Sequence, residues 1–275
     1  MFDTLVLSGN STNALSTLGS LQKLFDVNVL KRNDIKSLFG TSSGAIICTL
    51  LAIGFEPIEI LAYICTNKSY TKIQPDVAGF FTNITSNGGL LNFDIIEREL
   101  DNMIIYKLGF IPTLRCVHER LGKHLVFITY NLTSGMKECL SYTTHPDLVV
   151  TKAIRMSSTF PFVFAPYEYD QMYYLDGGLV ENFPMFTAQK HSNKCFGIYN
   201  NNPPKPYSVQ TNYFELFFRL ITVFVASSAD NIPINPESKV LKLSYPPSFF
   251  NFFSNNTELI NMFDTGYLTC QQALS

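Results

Sequence analysis

Apolar residues follow two patterns along this chain. Short, nearly continuous apolar runs predict buried strands, and longer stretches with apolar residues every three or four positions predict helices packed against them. The predicted strands span residues 4–8, 35–39, 124–130, 137–141, 167–169, 172–175, 195–199 and 240–243. The predicted helices span residues 12–25, 45–53, 57–65, 93–106 and 147–155, and Pro184 begins another. This alternation predicts an α/β fold, a three-layer α/β/α sandwich with a mainly parallel central sheet.

Length and composition favour one domain without a membrane span. The 275 residues, 46% of them apolar, can bury one large core, and no linker or block of charge divides them. We therefore expect a single domain over residues 1–275. The N-terminal apolar run is too short for the core of a signal peptide. The longest later run, residues 216–226, is about half a membrane span and contains Arg219.

Charge and cysteine usage narrow the expected partners and compartment. The 20 Lys and Arg and the 22 Asp and Glu are scattered and leave a net charge of −2. Such a balance indicates no nucleic-acid partner, and any contact with lipid should be mainly apolar. The six cysteines are widely spaced and form no C-x-x-C pair, which fits a reducing compartment. We expect an intracellular protein, cytoplasmic or peripherally associated with a membrane.

A candidate nucleophile lies between the second predicted strand and the helix that follows it. The string Gly40-Thr41-Ser42-Ser43-Gly44 has the sequence context of a nucleophile elbow, with Ser42 at its centre. A serine hydroxyl reacts only when it is held clear of its neighbours with a base in reach. Gly40 and Gly44 suit the turn because they lack the Cβ atoms that would crowd it.

A candidate base lies at the end of the tyrosine-rich strand. Asp176 is followed directly by Gly177 and Gly178. This order leaves a carboxylate at a sheet edge with little side-chain bulk between it and an approaching hydroxyl. The two strings together predict a hydrolytic site built from Ser42 and Asp176.

One alternative adds a histidine. In α/β-hydrolases a serine, an acidic residue and a histidine follow one another along the chain, and Ser42, Asp176 and His191 have that order. In that fold the elbow follows several strands, whereas here only one βα unit precedes it. His191 lies in a polar segment, which favours a solvated surface residue. No H-E-x-x-H or comparable ligand spacing is present, so we expect neither a metal nor another cofactor.

At these positions the chain resembles the patatin-like phospholipases, which are lipid acyl hydrolases. The shared features are G-x-S-x-G at residues 40–44 and the family's D-G-G-x-x-x-N-x-P at residues 176–184, which includes Asn182. Residues 153–166 correspond to the family's A-x-x-A-S and P-x-x-F-P-P. The resemblance covers about residues 4–195. It implies a motif-bearing core over residues 4–200 and a variable C-terminal part over residues 201–275.

The resemblance implies a catalytic dyad without histidine. Ser42 would attack an acyl ester of a lipid or phospholipid, and Asp176 would take its proton, giving an acyl-enzyme that water then clears. A free aspartate is a weak base, so burial has to raise its proton affinity. The supporting positions of the motifs are Gly40, Gly44, Gly177, Gly178 and Asn182.

The loop after the first strand departs from the family pattern. Relatives have G-G-G, then Arg or Lys and another Gly, whereas this chain has Gly9-Asn10-Ser11-Thr12-Asn13-Ala14. The expected oxyanion donors are the backbone N–H groups of Gly9, Asn10, Ser11 and Ser43. Because the loop is altered, a second hypothesis stays open: a weakened pseudoenzyme that binds lipid or a partner without turnover.

An aromatic segment near the C-terminus is a further candidate. Residues 245–253 contain two prolines and adjacent aromatic residues that cannot all face one core. We interpret Phe249–Phe253 as a lid or a membrane-contacting loop beside the acyl pocket.

Overall fold

The computed structural model describes residues 1–10, 13–67, 89–200, 216, 220, 232–244 and 255–274. The strands in these residues are β1 (Thr4–Leu7), β2 (Ser37–Thr41), β3 (Gly89–Leu91), β4 (His124–Asn131), β5 (Met136–Ser141), β6 (Phe162–Phe164), β7 (Tyr167–Tyr169), β8 (Met172–Asp176), β9 (Cys195–Asn200) and β10 (Lys239–Leu243). The helices are α1 (Ala14–Asp26), α2 (Ser43–Ala52), α3 (Pro57–Thr66), α4 (Asp94–Leu108), α5 (Leu114–Leu121), α6 (Val150–Ser158), α7 (Gly178–Glu181), α8 (Met185–Gln189) and α9 (Asn256–Leu274).

The central sheet is mixed, with a parallel part and an antiparallel part. Its order is β10-β9-β1-β2-β4-β8-β7, and β5 pairs with β4 off this path. The first five strands run parallel, whereas β5 and β8 are antiparallel to β4 and β7 is antiparallel to β8. Strands β3 and β6 form a separate parallel pair. The predicted α/β fold with a mainly parallel sheet is confirmed.

Side-chain alternation along the strands builds a core on each face of the sheet. The larger core contains Leu5 and Leu7 of β1 together with the apolar sides of helices such as α1, α2 and α6. The other face holds Val6 and Phe39, which pack with Phe183 and Met185 from the segment that leads into α8. Because successive strand residues point to opposite faces, one short apolar run supplies both cores.

The ends of β2 and β8 meet along one edge of β4. Strand β5 pairs with β4 from Val126 to Asn131, so β2 and β8 must both lie on the other edge. On that edge β2 ends with Thr41 opposite Ile128. Strand β8 arrives from the opposite direction and ends with Asp176 opposite Thr129, the next residue of β4. This seam brings the two halves of the chain that carry the predicted nucleophile and base to adjacent positions.

Helix α9 packs closely on α1. A Cβ atom added at Gly19 would lie 1.9 Å from the Phe263 carbonyl oxygen, and one added at Gly266 would lie 1.9 Å from the Ser16 carbonyl oxygen. Ser20 Oγ donates a hydrogen bond to the Gly266 carbonyl at 2.9 Å. The sequence pattern predicts no element here, yet α9 covers the helix that follows the loop after β1.

Most element boundaries agree with the pattern to within two or three residues. Helix α6 begins at Val150, not at residue 147, because Val149 is extended and forms an isolated bridge with Thr113. Strand β2 is shifted two residues toward the C-terminus, and β3, β6, α5 and α7 are additional, as is α9. No single helix in the described part of the chain is long and apolar enough to cross a membrane; α2 and α3 reach that length and hydropathy only as a pair bent by 113°. Phe249–Phe253 lies outside the described residues.

Candidate active site

The turn between β2 and α2 holds Ser42 in a strained conformation. Its backbone angles are φ 55° and ψ −124°, a region that non-glycine residues rarely occupy. Contacts on both sides hold it there. The Ser42 N–H donates to Ser157 Oγ at 3.0 Å, and the Ser42 carbonyl accepts the Ala45 N–H at 2.9 Å. Such strain is typical of a nucleophile elbow.

The two glycines of this turn are required by close backbone contacts. A Cβ atom at Gly40 would lie 2.6 Å from the Ala45 nitrogen, within the turn itself. A Cβ atom at Gly44 would lie 2.5 Å from the Leu7 carbonyl oxygen, so this glycine lets α2 approach β1. Their predicted structural role follows from backbone overlap, since their φ angles are not in the left-handed region.

Ser157 supports the elbow from the C-terminal end of α6. Its fully buried hydroxyl accepts the Ser42 N–H and donates to the Ile128 carbonyl of β4 at 2.6 Å. The hydroxyl therefore joins the turn to the strand whose edge carries both β2 and β8. The sequence pattern alone did not predict this role of Ser157. The available signal was its place in the segment that corresponds to A-x-x-A-S.

Asp176 is fixed and almost completely buried, with 2% of its surface exposed. Its backbone N–H donates to the Thr159 carbonyl at 2.8 Å, and its Oδ1 accepts the Gly178 N–H at 2.7 Å. A Cβ atom at Gly177 would lie 2.1 Å from the Ile128 carbonyl oxygen, so only glycine allows β8 to end this close to β4. The strand register and the two glycines therefore set the position of the carboxyl group.

Burial raises the pKa of Asp176 to about 6, against smaller lowering effects from the Ser42 side chain and the Gly178 N–H. The effect on the pKa indicates that the Ser42 side chain lies near this carboxyl group. Within the described residues, however, Asp176 Oδ2 makes no hydrogen bond of ordinary geometry. Hydrogen bonds between catalytic groups are often long before substrate binds and tighten in the complex.

Asn182 joins the segment after Asp176 to the loop after β1. Its carbonyl accepts the Gly9 N–H at 3.1 Å, and its Nδ2 donates to the Gly9 carbonyl at 3.1 Å. One residue earlier, the Glu181 carbonyl accepts a hydrogen bond from Thr41 Oγ1 at 2.9 Å, directly before the elbow. A Cβ atom at Gly9 would lie 2.6 Å from Asn182 Oδ1 and 3.1 Å from Ser42 Cβ. Gly9 therefore keeps the space beside the nucleophile open.

The loop after β1 supplies fewer available donors than the sequence predicts. The Gly9 N–H is donated to Asn182, so we correct the prediction that it faces an oxyanion. The Asn10 N–H donates to Ser43 Oγ at 2.9 Å, and Ser11 lies outside the described residues. The Ser43 N–H begins α2, where backbone N–H groups lack helical acceptors and carry partial positive charge. We find no acceptor for it in the described part of the chain.

The four histidines do not contribute to the environment of Asp176. None of them hydrogen-bonds to this carboxyl group or contributes to the shift in its pKa. His191 is exposed, and its ring lies 5.3 Å from that of Phe39 and 5.9 Å from that of His124. The geometry therefore gives no support to a triad of Ser42, Asp176 and His191.

Comparisons with known proteins agree with this architecture. The family model described as patatin-like phospholipase matches residues 5–188. A "Probable lipid hydrolase 463L" of Invertebrate iridescent virus 6 is 33% identical over 70% of the chain, and an uncharacterized protein, R571, of Acanthamoeba polyphaga mimivirus is 30% identical over 70%. The matched regions cover only 65% and 64% of those two proteins. The crystal structure of VipD from Legionella pneumophila superposes with a TM-score of 0.54 at 16% identity, over 99% of this chain and 66% of VipD.

Proposed function

We propose, because the chain belongs to the patatin-like phospholipase family, that it is a lipid acyl hydrolase of the phospholipase A type. In this proposal Ser42 is the nucleophile and Asp176 the general base. The observation that carries it is the seam beside β4, where a strained serine meets a buried carboxyl group whose pKa is about 6. The name of the viral relative, a probable lipid hydrolase, supports lipid as the substrate class.

The first half of the reaction forms an acyl-enzyme. Ser42 Oγ attacks the carbonyl carbon of the ester while its proton passes to Asp176, and the carbonyl oxygen becomes an oxyanion. When the tetrahedral intermediate collapses, the bond to the alcohol breaks and the leaving alcohol takes the proton from Asp176. A carboxyl group with a pKa near 6 suits both steps, because it is ionised at neutral pH yet binds a proton more readily than a solvated aspartate.

The second half returns the enzyme to its starting state. Asp176 removes a proton from a water molecule, whose oxygen attacks the acyl carbon on Ser42. The new tetrahedral intermediate expels Ser42 Oγ, which takes the proton back, and the fatty acid leaves. The same two side chains therefore serve both halves, and neither half requires a histidine.

The oxyanion needs hydrogen-bond donors on the side of the site away from Asp176. In our proposal the Ser43 N–H at the start of α2 is one donor and the Asn10 N–H is the other. Removing one such donor in other enzymes lowers kcat by about 10²–10³. Since the Gly9 N–H is already bound to Asn182, Asn10 is the candidate donor among the predicted loop donors that the structure describes.

A serine-directed fluorophosphonate probe, followed by peptide mapping, tests the proposal. We expect the label on Ser42 in the wild-type chain and no label there in Ser42→Ala or Asp176→Asn. Hydrolysis of p-nitrophenyl butyrate should fall to background in both variants, while His191→Ala should retain wild-type rates. Wild-type and Ser42→Ala rates that are equal would rule out the enzyme, and loss of activity in His191→Ala would favour the triad.

The pseudoenzyme is a second candidate, favoured by one observation. Two predicted donors of the altered loop already have partners: the Gly9 N–H is bound to the Asn182 carbonyl and the Asn10 N–H to Ser43 Oγ. A protein that only binds lipid needs no oxyanion donor. This candidate predicts binding of phosphatidylcholine vesicles by wild-type and Ser42→Ala alike, with no release of fatty acid by either.

A further inference from the structure

The Ser43 hydroxyl connects two elements of the proposed oxyanion hole. Its Oγ atom accepts the Asn10 N–H at 2.9 Å, across 33 residues of sequence. Asn10 follows Gly9, whose Cβ position would be 3.1 Å from Ser42 Cβ, so this N–H lies close to the nucleophile. The same serine carries the first N–H of α2. One hydroxyl therefore lies beside both backbone donors on which the proposed function depends.

In a glycine-rich loop the backbone itself directs the N–H groups. Here the Asn10 N–H depends on a side-chain contact for its direction. Asn182 binds both the N–H and the carbonyl of Gly9, and Ser43 Oγ accepts the N–H of the next residue, Asn10. Without that contact, the Asn10 N–H would be free to turn toward solvent or another acceptor. Preorganised donors contribute most to catalysis because they need no reorientation as charge develops.

The Asn10 N–H can change its acceptor from the Ser43 hydroxyl to the oxyanion when the oxyanion forms. A charged oxygen forms hydrogen bonds roughly twice as strong as those of a neutral one. A neutral ester carbonyl therefore competes weakly with Ser43 Oγ, whereas the oxyanion competes strongly. Rotation about one side-chain bond of Ser43 then transfers the Asn10 N–H to the oxyanion. The exchange stabilises the transition state more than the bound ester, which raises kcat.

We propose that Ser43 is a positioning residue: its hydroxyl holds the Asn10 N–H in place before the reaction, and the oxyanion on Ser42 then takes that N–H over. This role rests on the proposed function. In this proposal Ser43, the second variable residue of the G-x-S-x-G string, has a role beyond forming the turn. It also gives this chain a substitute for the glycines that its loop lacks.

The test compares Ser43→Ala and Ser43→Cys with Ser43→Thr, which keeps a hydroxyl. Thr49→Val is the control, because it removes another hydroxyl of α2, one that donates to the Ala45 carbonyl of the same helix at 2.9 Å. We expect kcat for p-nitrophenyl butyrate to fall about 10- to 100-fold in the alanine and cysteine variants, less than the full loss of a donor, because the N–H itself remains. KM should change little, and Ser43→Thr and Thr49→Val should stay close to wild type.

The rate of Ser42 modification by the fluorophosphonate probe gives a second readout, because the phosphonyl oxygen needs the same donors as the oxyanion. This rate should fall in parallel with kcat. A Ser43→Ala variant that folds and reacts as fast as wild type, or faster, would show that the hydroxyl does not position the donor. A wild-type chain that the probe does not modify at Ser42 would overturn the proposed function, and the role of Ser43 with it.

Discussion

The elbow carries Ser42 and the loop after β1 lies beside it, but the two regions are held in place by different kinds of contact. In the elbow, glycines touch backbone atoms of neighbouring elements, and the Ser42 N–H is bound by the buried Ser157. In the loop, the Asn182 backbone carbonyl binds the Gly9 N–H, the Asn182 side chain binds the Gly9 carbonyl, and the Ser43 hydroxyl binds the Asn10 N–H. The nucleophile and base are therefore placed largely by backbone packing, whereas the Asn10 donor for the oxyanion is held by a side-chain hydrogen bond.

This difference has a consequence for tolerance to substitution. Backbone overlap at a glycine cannot be relieved without moving a strand or helix. A side-chain hydrogen bond can be replaced by another of similar geometry. We therefore expect the elbow to accept almost no change and the loop to accept several sequences with graded activity.

Asp176→Asn should have the largest effect on activity. The amide cannot take a proton, so we expect kcat to fall by about 10²–10⁴. Stability should move in the opposite direction, because burial raises the pKa of Asp176 to about 6 and the folded state at pH 7 holds a charge that burial disfavours. The free energy of unfolding at pH 7 should rise by up to about 3 kcal/mol.

The pH dependence of the stability gain from Asp176→Asn provides a control. The carboxyl group is protonated in both states below about pH 4, so the gain from Asp176→Asn should shrink as the pH falls from 7 to 4. Urea titrations of both chains at several pH values would measure it. A variant less stable than wild type at pH 7 would mean that interactions of the carboxylate outweigh its burial.

Gly40→Ala should come next, and it probes the backbone side of the comparison. Its new Cβ atom would lie 2.6 Å from the Ala45 nitrogen, so β2 and α2 have to move apart. We expect a loss of about 1–3 kcal/mol in stability and, since the nucleophile moves, about 10² in kcat. Gly109→Ala is the matched control, because it also strains a glycine, with φ 81°, but meets no atom within 4 Å. Equal effects of the two substitutions on kcat would contradict the overlap argument.

Ser157→Ala should have a moderate effect. It leaves the Ser42 N–H and the Ile128 carbonyl without their partner, which typically lowers stability by about 1–3 kcal/mol. We expect kcat to fall about tenfold, as the strained turn is less well held. The neighbouring Ser158→Ala is the control, because Ser158 Oγ is buried without a hydrogen bond to the described residues. Steady-state kinetics and thermal unfolding of the two variants would distinguish the loss of the hydrogen bonds of Ser157 from the general effect of removing a buried hydroxyl.

The sequence predicted the fold where the pattern was local. Apolar runs such as residues 4–8 and 195–199 were found because buried parallel strands are apolar on both faces. Helix α9 was missed because no motif marks it, and its packing on α1 depends on Gly19 and Gly266, which are 247 positions apart. Contacts between distant glycines leave no local periodicity.

At the candidate site, the sequence indicated which residues carry the chemistry but not how the donors are used. Ser42 and Asp176 lie in strings whose glycines indicate a tight turn at the serine and a close approach of the chain at the aspartate. The hydrogen bonds of Gly9 to Asn182 and of Asn10 to Ser43 join three segments, and no spacing in any one of them reveals the pairing. The hydrogen bonds of Ser157 to Ser42 and Ile128 also join distant segments, so the family segment that contains Ser157 marked its position but not its partners.

The smallest effect that we expect is on the pH dependence of kcat/KM, whose midpoint should be the same in wild type and in Ser43→Ala. Asp176 must be ionised to accept the proton of Ser42, so kcat/KM should fall tenfold per unit below a midpoint near its pKa of about 6. Ser43→Ala should lower the whole profile without moving the midpoint, because the hydrogen bond from the Asn10 N–H to Ser43 Oγ does not involve Asp176. A soluble ester that does not titrate between pH 4 and 9 is the suitable substrate. If the midpoint shifts with Ser43→Ala, the loop and the base are coupled, and the two sides of the site are not held independently.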